Sequence, residues 1–236
     1  MPKRSSRLDA AVRKDAILKA ATPVFARLGR EGATTKDLAK AAGVSEALLY
    51  KHFSGKEELY AALESHCIEA NAIGVRHLHT MAPSTEALVK GVAILMQAVF
   101  PGIGEPQAHE DTKRLITASL LSDGRFAKAF LDCHVGPWIN SFELSLKAAI
   151  ASGDIEEDIG VGRAELWFVH HLANTLHLIA LPEVEVVDYA MPRDALIESA
   201  VRFVLRGLGL SSAAIRKYYD PGDFTNSIFN HREETA

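Results

Sequence analysis

The stretch from Thr34 to Phe53 holds two helix starts and one forced turn, and it limits the possible folds more than any other part of the chain. Thr34 stands three residues before Asp37. That is the hydroxyl–carboxylate spacing by which a helix N-terminus is capped reciprocally. The helix it opens is short and runs through Ala41. Gly43 then supplies a sharp turn, because without a Cβ it can take positive φ. Ser45 can cap a second short helix running to about Phe53. In that helix Leu49 and Phe53 lie one turn apart and face inward, so Glu46, Ala47, Leu48 and Lys51 point elsewhere. This is the helix-turn-helix layout, in which one helix crosses the DNA backbone and the next enters the major groove.

The flanks extend the pattern. Ile17, Ala20, Ala21, Val24, Phe25 and Leu28 recur at helical spacing and form one apolar face of a preceding helix, ended by Gly29 and Gly32. Ser54-Gly55-Lys56-Glu57 reads as another capping box. It opens a fourth helix that carries Leu59 and Leu63 toward about His79.

The rest of the chain repeats the helical period, and nothing alternates cleanly at period two. Helices are expected over Ser84 to Phe100, Glu110 to Leu121, Arg125 to about Ala151 with Pro137 a kink, Arg163 to Leu181, and Arg193 to Leu208. Beyond Ser211 no periodicity is visible. The expectation is an all-α chain: an N-terminal three-helix helix-turn-helix DNA-binding domain over 1–56, a larger C-terminal helical domain over 57–210, and a C-terminal tail over 211–236. There is no internal repeat.

Charge is distributed unevenly. Up to Lys56 there are twelve Lys and Arg against five acids; the remainder is acidic, and the whole chain carries −4. A basic N-terminal quarter on an acidic body fits one end meeting a polyanion, though a solvated charged face reads the same from charge alone. Hydrophobic residues at 48% and charged residues at 24% suit an ordinary globular protein. No apolar run approaches the ~20 residues of a membrane span, and no signal-type segment follows the basic N-terminus. A cytoplasmic protein without membrane contact is expected. Cys67 and Cys133 form neither a disulfide framework nor a zinc-finger spacing, so both should be free thiols.

The residues Thr34-Thr35-Lys36-Asp37-Leu38-Ala39-Lys40-Ala41-Ala42-Gly43-Val44-Ser45-Glu46-Ala47-Leu48-Leu49-Tyr50-Lys51-His52-Phe53-Ser54-Gly55-Lys56-Glu57-Glu58-Leu59 closely resemble the DNA-binding signature of the TetR family of bacterial regulators. The preceding helix, with Ala20, Phe25 and Gly29, also fits. The resemblance covers roughly the first quarter of the chain; the rest agrees only in size and helical character. By position it implies that Thr35 and Lys36 contact the DNA backbone and occasionally a base. Glu46, Ala47, Leu48 and Lys51 take the groove-facing positions, with Ser45 at their helix start. Tyr50, His52 and Lys56 take phosphate positions. Lys56 sits beside a helix N-terminus, which attracts phosphate in its own right. Two positions depart from the family's habit. Leu48 replaces a frequent hydroxyl and can pack on a thymine methyl. Glu46 is acidic; it can accept from cytosine N4 or interact with its own helix N-terminus. Phe53 reads as core, and Tyr50 as a packed ring with an exposed hydroxyl.

The same resemblance implies a homodimer through the last two long helices, binding a double-stranded DNA operator of palindromic form, and a small-molecule effector, partly apolar, inside the C-terminal helices. In the last helix Ile197, Ala200, Val201, Val204, Leu205 and Leu208 form an apolar stripe, expected to be part core and part dimer seam. Candidate ligand-binding residues are Met96, Phe100, Phe130, His134, Trp138, Trp167, His171 and Asn174. Phe130, His134 and Trp138 recur every four residues, and Trp167, His171 and Asn174 share a face likewise. The His and Asn residues are the stronger candidates, because a polar group in an apolar helix needs a partner.

Metal binding is the less favoured reading of the histidines. His170, Asn174 and His177 share a face, and His66, His77 and His79 lie near the end of the fourth helix, but only two ligands can be placed at helical spacing where three or four are needed. Cys133 and His134 are adjacent and cannot share a helix face as a nucleophilic pair. No catalytic residue, metal or cofactor is expected: there is no Gly-rich phosphate loop, nucleophile elbow or metal-binding helix motif. The expected function is a ligand-responsive repressor that releases its operator when the effector binds near the C-terminal end of the fourth helix. A ligand-independent or activating DNA-binding regulator is the alternative, and an enzyme with a helical N-terminal appendage is a distant one.

Overall fold

The computed structural model describes residues 3–71, 81–97, 99, 106–155 and 160–222. The elements are α-helices α1 (Lys3–Gly32), α2 (Thr35–Ala41), α3 (Glu46–His52), α4 (Lys56–Asn71), α5 (Thr85–Gln97), α6 (Pro106–Leu120), α7 (Arg125–Phe130), α8 (Gly136–Ala151), α9 (Arg163–Ile179), α10 (Arg193–Gly207) and α11 (Ser212–Tyr218). No strand occurs among the described residues. The only extended pairing there is an isolated antiparallel bridge between Ile155 and Leu210. The chain is all-α, as its periodicity predicts.

The helices divide into two compact units. One holds α1 to α4 with α6 and α7; the other holds α5 and α8 to α11. In the first, α1 packs on α6, α2 and α4. Its interior is built from Ile17, Ala21 and Phe25 of α1, Leu38 of α2, Leu49 of α3, Leu59 and Leu63 of α4, Leu115 of α6 and Phe126 of α7. Phe25 meets Tyr60 edge to face at 5.0 Å between centroids. Leu28, expected on this face, is 39% exposed. The break at Gly29, where φ is +70°, redirects the chain just after it.

In the second unit α5 is the central helix, packing on α8, α9, α10 and α11. Gly91 lets it approach α8: a Cβ there would lie 2.3 Å from Cε1 of Phe142. Thr85 at the start of α5 donates to the Asp154 carboxylate at 2.6 Å, and the Ser211 N–H bonds to the Asp154 carbonyl at 3.0 Å. Arg163 fastens α9 to α8 by donating to Asn140 at 2.9 Å and Glu143 at 2.7 Å.

Several sequence expectations change. The single helix expected from Arg125 to Ala151 is interrupted: a π-helical turn, Leu131–Val135, separates α7 from α8. Pro137 has no N–H for the carbonyl four residues back, and the widened turn precedes it directly. The apolar stripe of α10 faces the chain's own core. Ile197, Ala200, Val201, Val204, Leu205 and Leu208 are all buried within the chain's own fold. The segment after Ser211 begins with α11, capped by the Ser211 hydroxyl. At α4 the capping box does not form on Glu57. Glu58 accepts from the Ser54 N–H at 2.7 Å instead, and Glu57 pairs with Arg30 at 2.5 Å. Phe100, His77 and His79 lie outside the described residues. Neither cysteine is in a disulfide; Cys67 is buried and Cys133 exposed.

Candidate functional site

Each turn of the segment 34–53 is fixed by its own side chains. The Thr34 hydroxyl accepts from the Asp37 N–H at 3.2 Å, and Asp37 accepts from the Thr34 N–H at 3.2 Å and the Thr34 hydroxyl at 2.5 Å. Those bonds hold the Asp37 carboxyl below its ordinary range, the Thr34 hydroxyl contributing most and its N–H next. After α2, Gly43 takes φ +64°. The Val44 N–H returns to the Ala39 carbonyl at 3.0 Å and the Gly43 N–H to Lys40 at 3.2 Å, the paired bonds of a Schellman ending. Ser45 then accepts from the Leu48 N–H at 3.2 Å and caps α3.

This geometry sorts the residues of α3. Leu49 and Phe53 are fully buried against Leu38 and α1. Ser45, Glu46, Ala47, Tyr50 and Lys51 are exposed, and Leu48 and His52 are half-buried. Tyr50 is 49% exposed, so its ring is only partly packed. On α2, Lys36 is exposed and Thr35 half-buried. The Thr35 hydroxyl donates to the Glu46 carboxylate at 2.9 Å, joining the first turns of α2 and α3. Lys56, half-buried at the head of α4, donates to the Glu31 carbonyl at 3.4 Å. Sequence spacing did not reveal the Thr35–Glu46 bond, since the two residues stand on different helices with a turn between them. Nor did it reveal Lys14, whose ammonium stands 5.1 Å above the Phe53 ring.

The other candidates fall in both units. In the first, Phe130 and His134 are buried with ring centroids 4.5 Å apart. His134 holds a hydrogen bond to the Ile68 backbone, and its Nε2 is buried without a hydrogen-bond partner among the described residues. Burial lowers its pKa, the Ile68 bond opposing that effect. In the second unit Met96 and Trp138 are buried, and Trp138 Nε1 has no hydrogen-bond partner among the described residues. Trp167 stacks on His171 at 5.8 Å between centroids; His171 is exposed and Asn174 half-buried. His170 and His177 are buried. Among the described residues no three His, Cys, Asp or Glu side chains converge in a way that could hold a metal ion. No helix there is long and apolar enough to cross a membrane. The outward faces of α9 and α10 carry Phe168, 60% exposed, and Phe203, 68% exposed.

Residues 17–63 match the family described as bacterial regulatory proteins, tetR family. The HTH-type transcriptional activator FasR of Mycolicibacterium smegmatis is 39% identical over 74 residues, which are 31% of this chain and 34% of that protein. The match thus spans about a third of that relative's length. Among solved structures, AibR in complex with isovaleryl coenzyme A and operator DNA has a TM-score of 0.60 at 18% identity, covering 84% of this chain and 100% of that one. FadR from Bacillus subtilis in complex with stearoyl-CoA has a TM-score of 0.55 at 18% identity, covering 81% of this chain and 97% of that one. A bacterial regulatory protein in the tetR family from Rhodococcus RHA1 has a TM-score of 0.61 at 17% identity, covering 85% and 98%. These structures have the same fold as this chain.

Proposed function

We propose that this chain, whose residues 17–63 match the bacterial regulatory proteins of the tetR family, is a transcription regulator whose α3 reads a palindromic operator and whose remaining helices sense a small molecule. The observation that carries this reading is the division of α3. One side is locked into the core by Leu49 and Phe53, and the other offers Glu46, Ala47, Tyr50 and Lys51 to solvent. A short helix held so by two caps and a Gly turn has the dimensions of the major groove. Thr35, Lys36 and Ser45 at the neighbouring helix starts complete the contact surface, with Leu48 positioned for a thymine methyl. His52 and Lys56 serve as phosphate contacts. The carbonyl of Glu31 leaves the Lys56 ammonium two further protons to donate.

A single helix-turn-helix binds too little DNA to select a long site, and a two-fold dimer doubles it. The α10 stripe is consumed by the core, so the dimer face is the outer side of α9 and α10, centred on Phe168 and Phe203. Two exposed aromatic side chains on adjacent helices are the pattern of an unpaired interface. By function, the DNA-binding domain ends near Lys56, and the sensing and dimerising helices follow.

The effector is an acyl thioester of coenzyme A or a molecule like it. The support is that two structures of this fold were solved with isovaleryl coenzyme A and stearoyl-CoA. Met96, Phe130, His134, Trp138, Trp167, His171 and Asn174 are the residues assigned to sensing, with Phe100 assigned from sequence only. The buried Nε2 of His134 and Nε1 of Trp138 are polar atoms left for a ligand or water to satisfy. Release requires the effector to favour the conformer that does not fit DNA. The match of residues 17–63 to bacterial regulatory proteins supports a non-enzymatic role in the cytoplasm. FasR is named an activator, which favours a second reading in which the bound dimer activates transcription.

A mobility-shift titration tests this. Purified protein is added at low salt to the duplex upstream of its own gene, with and without stearoyl-CoA and isovaleryl-CoA. The proposal predicts a shift that the thioester abolishes. No shift at low salt contradicts DNA binding, and a shift indifferent to both thioesters contradicts ligand release.

A further inference from the structure

In the second unit α9 ends and α10 begins at a groove of about 390 Å³. Ile179 of α9 and Leu196 of α10 line it, together with Val184, Val186 and Met191 of the segment that joins the two helices. That segment, residues 180–192, holds no helix or strand. A connection so long without its own secondary structure is uncommon in a compact domain and usually has a task. Its valines are not spent on the core: Val184 is 76% exposed and Val186 60%.

The groove stands on the same outward stripes as Phe168 and Phe203. At 3.6 residues per turn Ile179 lies within about 20° of Phe168 around α9, and Leu196 within about 20° of Phe203 around α10. Between and beside them Leu172, Thr175, Ser199 and Gly207 keep to these stripes, and none of the four is buried. At 1.5 Å per residue, Ile179 is about 16 Å along α9 from Phe168, and Leu196 about 10 Å along α10 from Phe203. One end of the face thus projects aromatic rings, and the other is an apolar hollow. Charge repeats the pattern. Glu183 and Glu185 line the hollow, with Arg193 beside them. At the aromatic end Arg206 is exposed one turn beyond Phe203, while Arg202 is held by Glu198 at 2.8 Å.

We propose that this groove is a socket for Phe203 of a second copy of the chain, with the partner's Arg206 meeting Glu183 and Glu185 at its rim. The proposal rests on the dimer reading above and names what each copy supplies to the other. A two-fold axis lying in the face and crossing α9 and α10, midway between the aromatic end and the hollow, brings each end onto its complement. It does so twice, as an isologous contact requires. Shape and charge both select this occupant, because ring faces hollow and cation faces acid only when the copies run in opposite directions.

Cross-linking distinguishes this arrangement from other dimers. Two differently tagged chains carry Cys133→Ser, which leaves only the buried Cys67. One also carries Glu185→Cys and the other Arg206→Cys. They are mixed and treated with a short bis-maleimide. The proposal predicts that the mixed pair joins in preference to either like pair. Sedimentation equilibrium supplies a second reading: Val186→Glu should weaken the dimer about tenfold or more at unchanged helix content. Preferential joining of two Arg206→Cys chains overturns the socket, as does a Val186→Glu dimer of wild-type strength; either result leaves the groove to a small apolar molecule. Wild type that is monomeric at high concentration overturns the dimer reading beneath it.

Discussion

The Thr35 hydroxyl donates to the Glu46 carboxylate across 2.9 Å, so the first turns of the two helix-turn-helix helices are tied side chain to side chain. Both residues stand at positions the sequence assigns to DNA. In the free protein Glu46 therefore braces α2 against α3 from the first turn of a helix whose N-terminus favours an acid. The bond and a base contact compete for the same carboxylate.

That competition makes Glu46 informative. Glu46→Gln keeps an acceptor for Thr35 but removes a negative charge from the DNA-facing side. Affinity for random-sequence duplex should rise severalfold at low salt, the gain fading as salt screens it. Thr35→Val should cost about 1 kcal/mol of stability or less, read by urea denaturation. Unchanged affinity in Glu46→Gln would place this residue away from the duplex.

Gly43 and Gly91 are required for different reasons, and substitution separates them. At Gly43 a Cβ meets nothing within 4 Å, but φ is +64°. Gly43→Ala should destabilise by about 1–2 kcal/mol through the backbone alone, and Gly43→Asn by less, since Asn tolerates this conformation. At Gly91 a Cβ would lie 2.3 Å from the Phe142 ring. Gly91→Ala should cost about 1–3 kcal/mol by overpacking, and Phe142→Leu in the same chain should recover part of it. Denaturation midpoints of the four variants check the pattern.

His134 should make stability pH-dependent. Burial lowers its pKa from the ordinary 6.5, so the unfolded chain binds this proton more readily than the folded one. Its contribution is therefore intact above about pH 6.5 and is lost as pH falls below that value. His134→Phe should flatten the change in denaturation midpoint between about pH 7.5 and 5.5. Asp37 and Glu58 act in a lower window. Hydrogen bonds from Thr34 and Ser54 respectively hold their carboxyls below 3.8 and 4.5, so their stabilisation persists until the solution is strongly acidic. An equal slope in wild type and His134→Phe would show that this ring is not the titrating group.

Phe168 and Phe203 should hold the dimer. Phe203→Glu, alone or with Phe168→Glu, should sediment as a monomer with unchanged helix content. A wild type that is monomeric at high concentration, or a variant that stays dimeric, would move the interface elsewhere.

The helix-turn-helix was legible because short-range chemistry dictates it. Thr34 with Asp37, Gly43 and Ser45 each act within four residues, and the structure places all of them as their spacing predicts. Legibility fails where partners are distant or equivalent. Glu57 and Glu58 are both suited to the head of α4; Arg30, reaching from α1, takes Glu57 and leaves Glu58 to cap. The α10 stripe has a clear period, but periodicity marks only an apolar face and cannot say whether its own chain or another covers it. Pro137 signalled a kink, but its form as a π-helical turn depends on how the carbonyl clash is relieved in three dimensions. Thr35 and Glu46 stand on different helices, as do Lys14 and Phe53, and the fold alone brings each pair together.

Selection from a pool of random-sequence duplexes tests the central claim most directly. The account predicts enrichment of an inverted repeat whose half-site centres lie one helical turn, or a whole number of turns, apart. Selection with the Tyr50→Ala, Lys51→Ala variant should lose that repeat while the protein stays folded. A pool that gains no common sequence after repeated low-salt rounds with wild-type protein would contradict the account.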